Sequence, residues 1–234
     1  MQHGKRRVLI SDPETDPYEG AMEFRLTYEG KLLSSGNNNT RPGHKHAIRM
    51  HFHSQLFRLW KFNRSLSAIA QCYAPSLAGA HEPFVLAQAR PEPPMRGKYL
   101  DLLQSNYPMF NTRWAPLVIE GSGLTCSVDV LFLRRGARGG VMQSGDIDGR
   151  LKTLFDALAI PRSNAGLPHD MAATCPIYTL LDDDKNISHV SVTTDELLDP
   201  TEEAGAGNND ARVVLTVNVR PTHGSWFSLN LVGV

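Results

Sequence analysis

Asp146, Asp148, Lys152 and Asp156 fall within eleven residues, in Gly145-Asp146-Ile147-Asp148-Gly149-Arg150-Leu151-Lys152-Thr153-Leu154-Phe155-Asp156-Ala157-Leu158. A second acidic run follows, Leu181-Asp182-Asp183-Asp184-Lys185-Asn186-Ile187. Carboxylates from two such segments are the hard oxygen donors that Mg²⁺ takes, with water or phosphate oxygen in the remaining positions. An ion so held lowers the pKa of an attacking water and neutralises charge on a scissile phosphate. A nearby lysine can stabilise the charged transition state or orient the nucleophile. Each piece also has a plain structural use. D-x-D at a helix start is ordinary capping. Lys152 between Asp148 and Asp156 makes i,i+4 ion pairs worth about 0.3–0.5 kcal/mol. Asp182–Asp184 between two strands reads as a hairpin turn.

The elements that would position these groups can be read from periodicity. Asp146–Ile160 is the clearest helix: at 100° per residue Ile147, Leu151, Leu154, Phe155 and Leu158 share one arc, and Pro161 ends it. Asp148, Lys152 and Asp156 form a charged stripe beside that arc, at the rim of a cleft. Leu124–Leu133 is a continuous, partly β-branched strand. Ile177–Leu181 and Ile187–Thr194 read as short strands, and Ala211–Arg220 alternates at period two. Glu23–Leu33 reads as a strand or short hairpin, Ser225–Val234 as a last strand. Lys45–Phe62 is a helix with Ile48, Phe52, Leu56 and Leu59 on one stripe. Residues 1–20 form a polar leader. The Pro-rich stretch of about 74–116 reads as an irregular insertion with one short strand at Phe84–Ala87, and about 195–210 as an acidic loop. Strands and helices mix without βαβ alternation. This predicts an α+β single domain over 21–234, a mixed or antiparallel sheet packed with two main helices.

The order strand, loop, D-x-D-x-x-x-K helix ending Phe155-Asp156-Ala157-Leu158, then Asp183-Asp184-x-x-Ile187 leading into a strand, resembles the RusA-type Holliday junction resolvases. That family carries D-[LIV]-D-N-x-x-K-x-x-x-D-A-L followed by D-D-x-x-[VI]. The matching stretch covers about residues 124–220. The resemblance implies a RusA-like fold, a symmetric homodimer and a Mg²⁺-dependent endonuclease (with Mn²⁺ as an alternative ion) that nicks branched DNA. It implies catalytic roles for Asp146, Asp148, Lys152 and Asp184, and metal ligation by Asp146, Asp148 and Asp184 with Asp183 beside them. Gly149 replaces the family's Asn, and the N-terminal part is enlarged.

A further signal lies in the basic run Lys31–Arg64, which holds seven Lys or Arg, four of the nine histidines and no acid. Lys45, His46, Arg49 and His53 are the candidate phosphate contacts on its helix, with Phe57 and Trp60 as packing or stacking residues. A metal site there has little support: His46 and His53 stand about 10 Å apart along the axis, too far to share one ion. Arg134, Arg135 and Arg138 are a second candidate grip just before Asp146. Against this basic run stands Asp182–Asp210, with nine acids and one lysine. The 24 basic and 24 acidic residues of the 234-residue chain cancel, yet such asymmetry points to an anionic partner.

Composition bounds the remaining classes. With 41% apolar and 21% charged residues, the chain can build a core without staples. No apolar run is long enough to span a membrane, and the N-terminus lacks a secretory h-region. Cys72, Cys126 and Cys175 form no CxxC pair, which predicts reduced thiols in a cytoplasmic protein. P-loop, GxSxG, HExxH and GxGxxG motifs are absent, so motors, serine hydrolases, zinc proteases and dinucleotide enzymes lack support. Two other readings remain open: a non-catalytic nucleic-acid-binding or regulatory protein on the same scaffold, and a module that recruits a basic partner through residues 182–210. RNA as substrate also stays open.

Overall fold

The computed structural model describes residues 22–35, 41–71, 100, 103–104, 107–120, 122–134, 147–164, 167, 176–198, 210–222 and 231. Its centre is a pair of alternating strands. In β7 (Asp210–Pro221), Val213, Leu215, Val217 and Val219 turn inward while Arg212, Val214, Thr216 and Asn218 stay half-buried. β4 (Leu124–Arg134) lies antiparallel to it, with Val128 opposite Val217 and Val130 opposite Leu215. Period-two alternation therefore puts Cys126, Val128, Val130 and Phe132 on the same inner face as the β7 valines. β1 (Met22–Lys31) pairs antiparallel with the other side of β7, and β6 (Ile187–Glu196) pairs parallel with β4. The strand order is β1-β7-β4-β6, a mixed four-stranded sheet.

A second, smaller sheet joins β3 (Thr112–Val118) to β5 (Ile177–Leu181) in parallel, with the two-residue β2 (Pro108–Met109) antiparallel to β3. Three helices among the described residues complete the α+β architecture. α1 (Pro42–Phe62) runs for about 30 Å. Asn63 separates it from α2 (Arg64–Gln71), and α3 (Ile147–Leu158) precedes Pro161. α1 packs against β1, β5 and α3, and one core cluster runs from Ile48, Phe52, Leu56 and Trp60 to the sheet. Each wholly buried aliphatic or aromatic side chain there contributes about 1.5–3 kcal/mol. No helix among the described residues is long and apolar enough to cross a membrane.

Three expectations change. Residues 112–116 are not part of an irregular insertion but the body of β3. Trp114 and Ala115 are wholly buried there, and Pro116 sits opposite Thr179 in the ladder. Proline hides a strand from propensity reasoning because it cannot donate to a ladder. The helices number three rather than two among the described residues, since α2 follows α1 after a one-residue break. Asp182–Asn186 is not a hairpin turn: β5 and β6 belong to different sheets, and a short 3-10 turn (Asp184–Asn186) carries the chain between them. Residues 1–20, the segment Phe84–Ala87 and most of 225–234 lie outside the described residues, as does the acidic stretch beyond Leu198; before it, β6 runs on through Glu196.

A parallel β4–β6 pair needs a long crossover. That crossover contains α3 and β5, and it lays α3 beside the acidic turn that opens β6.

Candidate active site

α3 and the β5–β6 turn enclose two adjoining cavities. One, of about 500 Å³, is bordered by Asp148, Leu151, Lys152, Phe155, Asp156, Asp184, Ile187 and Val190. The other, of about 250 Å³, shares Lys152, Asp156 and Asp184 and adds Lys45, Arg49, Arg162, Asp182 and Asp183. Asp148, Lys152 and Asp156 climb one side of α3 at about 6 Å per step, as i,i+4 spacing dictates. The apolar arc beside them docks the helix: Ile147, Leu154 and Leu158 are buried, Leu151 and Phe155 half-buried.

The carboxylates divide by environment. Asp156 is taken by α1: Lys45 Nζ lies 2.6 Å from its Oδ2, with the lysine side chain 11% exposed. It therefore does not pair with Lys152. Asp148 and Lys152 are exposed, and neither has a hydrogen bond or ion pair among the described residues. The i,i+4 ion pairs expected of an ordinary charged stripe are thus not made.

Asp182 is half-buried. It accepts from the Glu120 N–H (2.9 Å), Tyr107 Oη (3.3 Å) and Asn186 Nδ2 (2.5 Å). Burial raises its pKa despite those donors. Burial, and then the Asp182 carboxylate, hold the Tyr107 hydroxyl well above its usual range. The Asp182 N–H also donates to the Val118 carbonyl of β3 (3.1 Å), so Asp182 ties the turn to β3. Asp183 caps the 3-10 turn by accepting from the Lys185 N–H (3.0 Å), which with Arg162 keeps its pKa low. Asp184 stays exposed and accepts from Arg162 Nη2 at 2.7 Å. Lys185 is engaged by Glu120.

Mg²⁺ takes one or two protein carboxylates and keeps several waters or phosphate oxygens. Asp148 and Asp184, which border one open cavity, fit that donor chemistry. Among the described residues no three His, Cys, Asp or Glu side chains group closely enough to hold a metal ion. Asp146 lies outside the described residues, as do Arg135 and Arg138; Arg134, at the end of β4, is half-buried.

The expected phosphate contacts on α1 are corrected. Arg49 is 3% exposed and donates to the carbonyls of Ala159 (Nε, 3.0 Å) and Asp156 (Nη2, 2.7 Å). It thereby satisfies the unpaired carbonyls at the C-terminal end of α3, where a cation is favoured. Its guanidinium carbon also lies 5.9 Å from the Trp114 ring centroid. Burial lowers its pKa to about 10, which leaves it charged at neutral pH. Lys45 is committed to Asp156. His53 Nδ1 accepts from the Tyr178 N–H (3.0 Å), and burial lowers its pKa. His46 is likewise shifted down, by burial and then Arg49, and its Nδ1 has no hydrogen-bond partner among the described residues. Neutral, half-buried imidazoles make poor phosphate contacts. Of the aromatics beside them, Trp60 is buried and Phe57 is 44% exposed, edge-on to Tyr178.

Arg162 escaped the sequence reading, and Arg58, Lys61 and Arg64 were counted in the basic run without being chosen as phosphate contacts. Arg162 sits four residues beyond the end of α3, where only the chain reversal brings it to the acidic turn. At the far end of α1, Arg58 and Lys61 lie against the 68%-exposed Phe62 ring, at 6.0 and 5.3 Å from its centroid. Arg64 is exposed nearby. For Arg58 and Lys61 a signal was present: both lie off the Ile48–Phe52–Leu56 stripe of α1. No protein-family model, curated protein or solved structure matches this chain.

Proposed function

We propose that the chain is a divalent-metal-dependent endonuclease of RusA-like fold, which hydrolyses phosphodiester bonds in branched DNA such as Holliday junctions and acts as a homodimer. One observation carries the reading: Asp148 and Lys152 border a single cavity with Asp184, and neither is paired off among the described residues. Asp148 in the first turn of α3 suits the helix dipole, but Lys152 gains nothing there from an ion pair; a lysine facing a scissile phosphate and carboxylates that reach it through a divalent ion suit phosphodiester hydrolysis. When bound, Mg²⁺ supplies charge neutralisation and a water of lowered pKa. Asp148 and Asp184 offer it carboxylate oxygens, with Asp146 the third carboxylate of the motif. Lys152 presents its ammonium to the phosphate or to the attacking water. Arg49 and Lys45 hold α3 against α1 and so fix where Asp148 and Lys152 stand. Arg58, Lys61, Arg64 and Phe62 provide the exposed basic and aromatic surface for DNA backbone and bases.

The test is incubation of the full chain with four-way junction, flap and duplex DNA, with and without Mg²⁺. The expected outcome is Mg²⁺-dependent nicking of branched DNA. Asp148→Asn or Asp184→Asn should abolish it and leave DNA binding intact or stronger. Cleavage by either variant at the wild-type rate would refute the site.

A second reading, a nucleic-acid-binding protein without catalysis, draws on the Arg162 contact with Asp184, which places a cation where a metal ligand is expected. It predicts salt-sensitive junction binding and no nicking with Mg²⁺ or Mn²⁺.

A further inference from the structure

Among the described residues, Arg162 is the one cation of the cleft that bridges two acids of the β5–β6 turn. Its Nη2 lies 2.7 Å from Asp184 Oδ1 and 3.4 Å from Asp183 Oδ1. The partners differ in how firmly they are held. Asp183 is fixed by its cap on the Lys185 N–H, whereas the Arg162 side chain is 73% exposed and Asp184 47%. The other cations nearby have fixed tasks or stand apart. Lys45 and Arg49 are held by Asp156 and the end of α3, and Lys185 is held by Glu120. Lys152 is unpaired on α3 among the described residues.

We propose that Arg162 is a displaceable latch: it neutralises Asp183 and Asp184 in the free protein, yields Asp184 to an arriving divalent cation, and turns to a DNA phosphate. The inference rests on the cleft being a nuclease centre. The physical case is one of charge. Asp182, Asp183 and Asp184 are consecutive, Asp182 is already short of solvent, and among the described residues Arg162 and Lys185 are what offsets them. A cation on Asp184 lowers their mutual repulsion while the site is empty. An exposed pair of this kind is weakly held, so a divalent ion displaces it readily. A guanidinium then released beside the cleft is a planar fork that fits phosphate oxygens bidentately. The residue therefore acts through Asp184 before DNA arrives and on DNA afterwards.

Two measurements on the full chain test this without relying on turnover. Mn²⁺ binding is titrated by electron paramagnetic resonance in the absence of DNA, for the wild type, Arg162→Ala and Asp184→Asn. Four-way junction affinity is measured with Ca²⁺ in place of Mg²⁺, so that Asp184 is occupied and nothing is cut, for the wild type, Arg162→Ala and Arg162→Lys. Arg162→Ala should bind Mn²⁺ about two- to five-fold more tightly, the factor that the loss of a competing exposed ion pair allows. The same variant should bind the junction more weakly than the wild type, with Arg162→Lys in between. An unchanged or weaker Mn²⁺ affinity in Arg162→Ala, with Asp184→Asn abolishing Mn²⁺ binding, overturns the latch and leaves the nuclease centre standing. Unchanged junction affinity in Arg162→Ala overturns the hand-over. If Asp184→Asn binds Mn²⁺ like the wild type, or none of the proteins binds it, the nuclease centre fails and the latch with it.

Discussion

Gly149 is where the chain departs from the motif it resembles, and its surroundings give the reason. A Cβ at this position would stand 1.9 Å from Ser34 Oγ, 3.1 Å from Ser34 Cβ and 3.2 Å from the Ser35 nitrogen. The segment after β1 lies directly on the first turn of α3, and the Ser35 N–H donates to the Gly149 carbonyl at 3.0 Å. The Ser34 hydroxyl can rotate away, but its Cβ and the Ser35 backbone must move. A helix-propensity argument alone makes any residue except proline better here than glycine, by a few tenths to about 1 kcal/mol. The close approach opposes that gain. Gly149→Asn, which supplies the residue that the RusA-type motif carries at this place, is expected to lower unfolding stability by about 1–3 kcal/mol, the usual range for overpacking. Urea denaturation checks it; a variant as stable as the wild type would mean that the 34–35 segment gives way freely.

At the scale of elements, α1 shows what a periodic pattern can and cannot tell. Ile48, Phe52 and Leu56 are wholly buried, as their spacing implies. The pattern does not tell how many neighbours a helix has. α1 packs on β1, β5 and α3, so polar residues beside the stripe are covered too, and Lys45 and Arg49 become internal ties rather than surface cations. Continuous or alternating strands such as β4, β5 and β7 were legible to within a residue or two, as was α3. β3 was not, because Pro116 conceals it, and neither was the parallel docking of β6 on β4, which local sequence does not encode. Of the cleft, Asp148, Lys152 and Asp184 could be read from motif spacing. The pairing of Asp156 with Lys45 could not, since the partners are 111 residues apart. The covered histidines make α1 sensitive to acid. Burial lowers the pKa of His44, His46 and His53 from 6.5, so below that value the unfolded chain binds protons that the folded chain refuses. Their contribution is full above about pH 6.5 and is lost as pH falls below it. Asp182, shifted the opposite way for an acid, acts in a separate window just above 3.8, where stability falls as pH rises. Denaturation midpoints at about pH 7.5 and 5.5 should therefore differ. His53→Asn, which keeps an acceptor for the Tyr178 N–H, should narrow the difference. An unaltered gap would remove His53 from the account.

For the whole molecule, zero net charge conceals a division of labour among its cations. Lys45 and Arg49 are used inside and Arg162 on the acidic turn, whereas Arg58, Lys61 and Arg64 remain on the surface. Lys61 stands sixteen residues along α1 from Lys45, about 24 Å at helical rise. A grip at that end and a cleft at the other would span roughly the width of a duplex. Binding to DNA should then depend on salt through Arg58, Lys61 and Arg64 together with Lys152 and Arg162 of the cleft, and not through Lys45 or Arg49, because affinity from phosphate contacts comes from released counterions. Lys61→Ala or Arg58→Ala is expected to weaken junction binding and to lower the slope of log affinity against log salt by about 1 each. Lys45→Met should leave that slope unchanged and lower unfolding stability instead, since it strands Asp156 beside the end of α3. Fluorescence anisotropy over a salt series, paired with urea denaturation, separates the two effects. A slope that falls in Lys45→Met and holds in Lys61→Ala would move the DNA grip to the N-terminal half of α1 and leave Arg58, Lys61 and Arg64 as solvated surface charge.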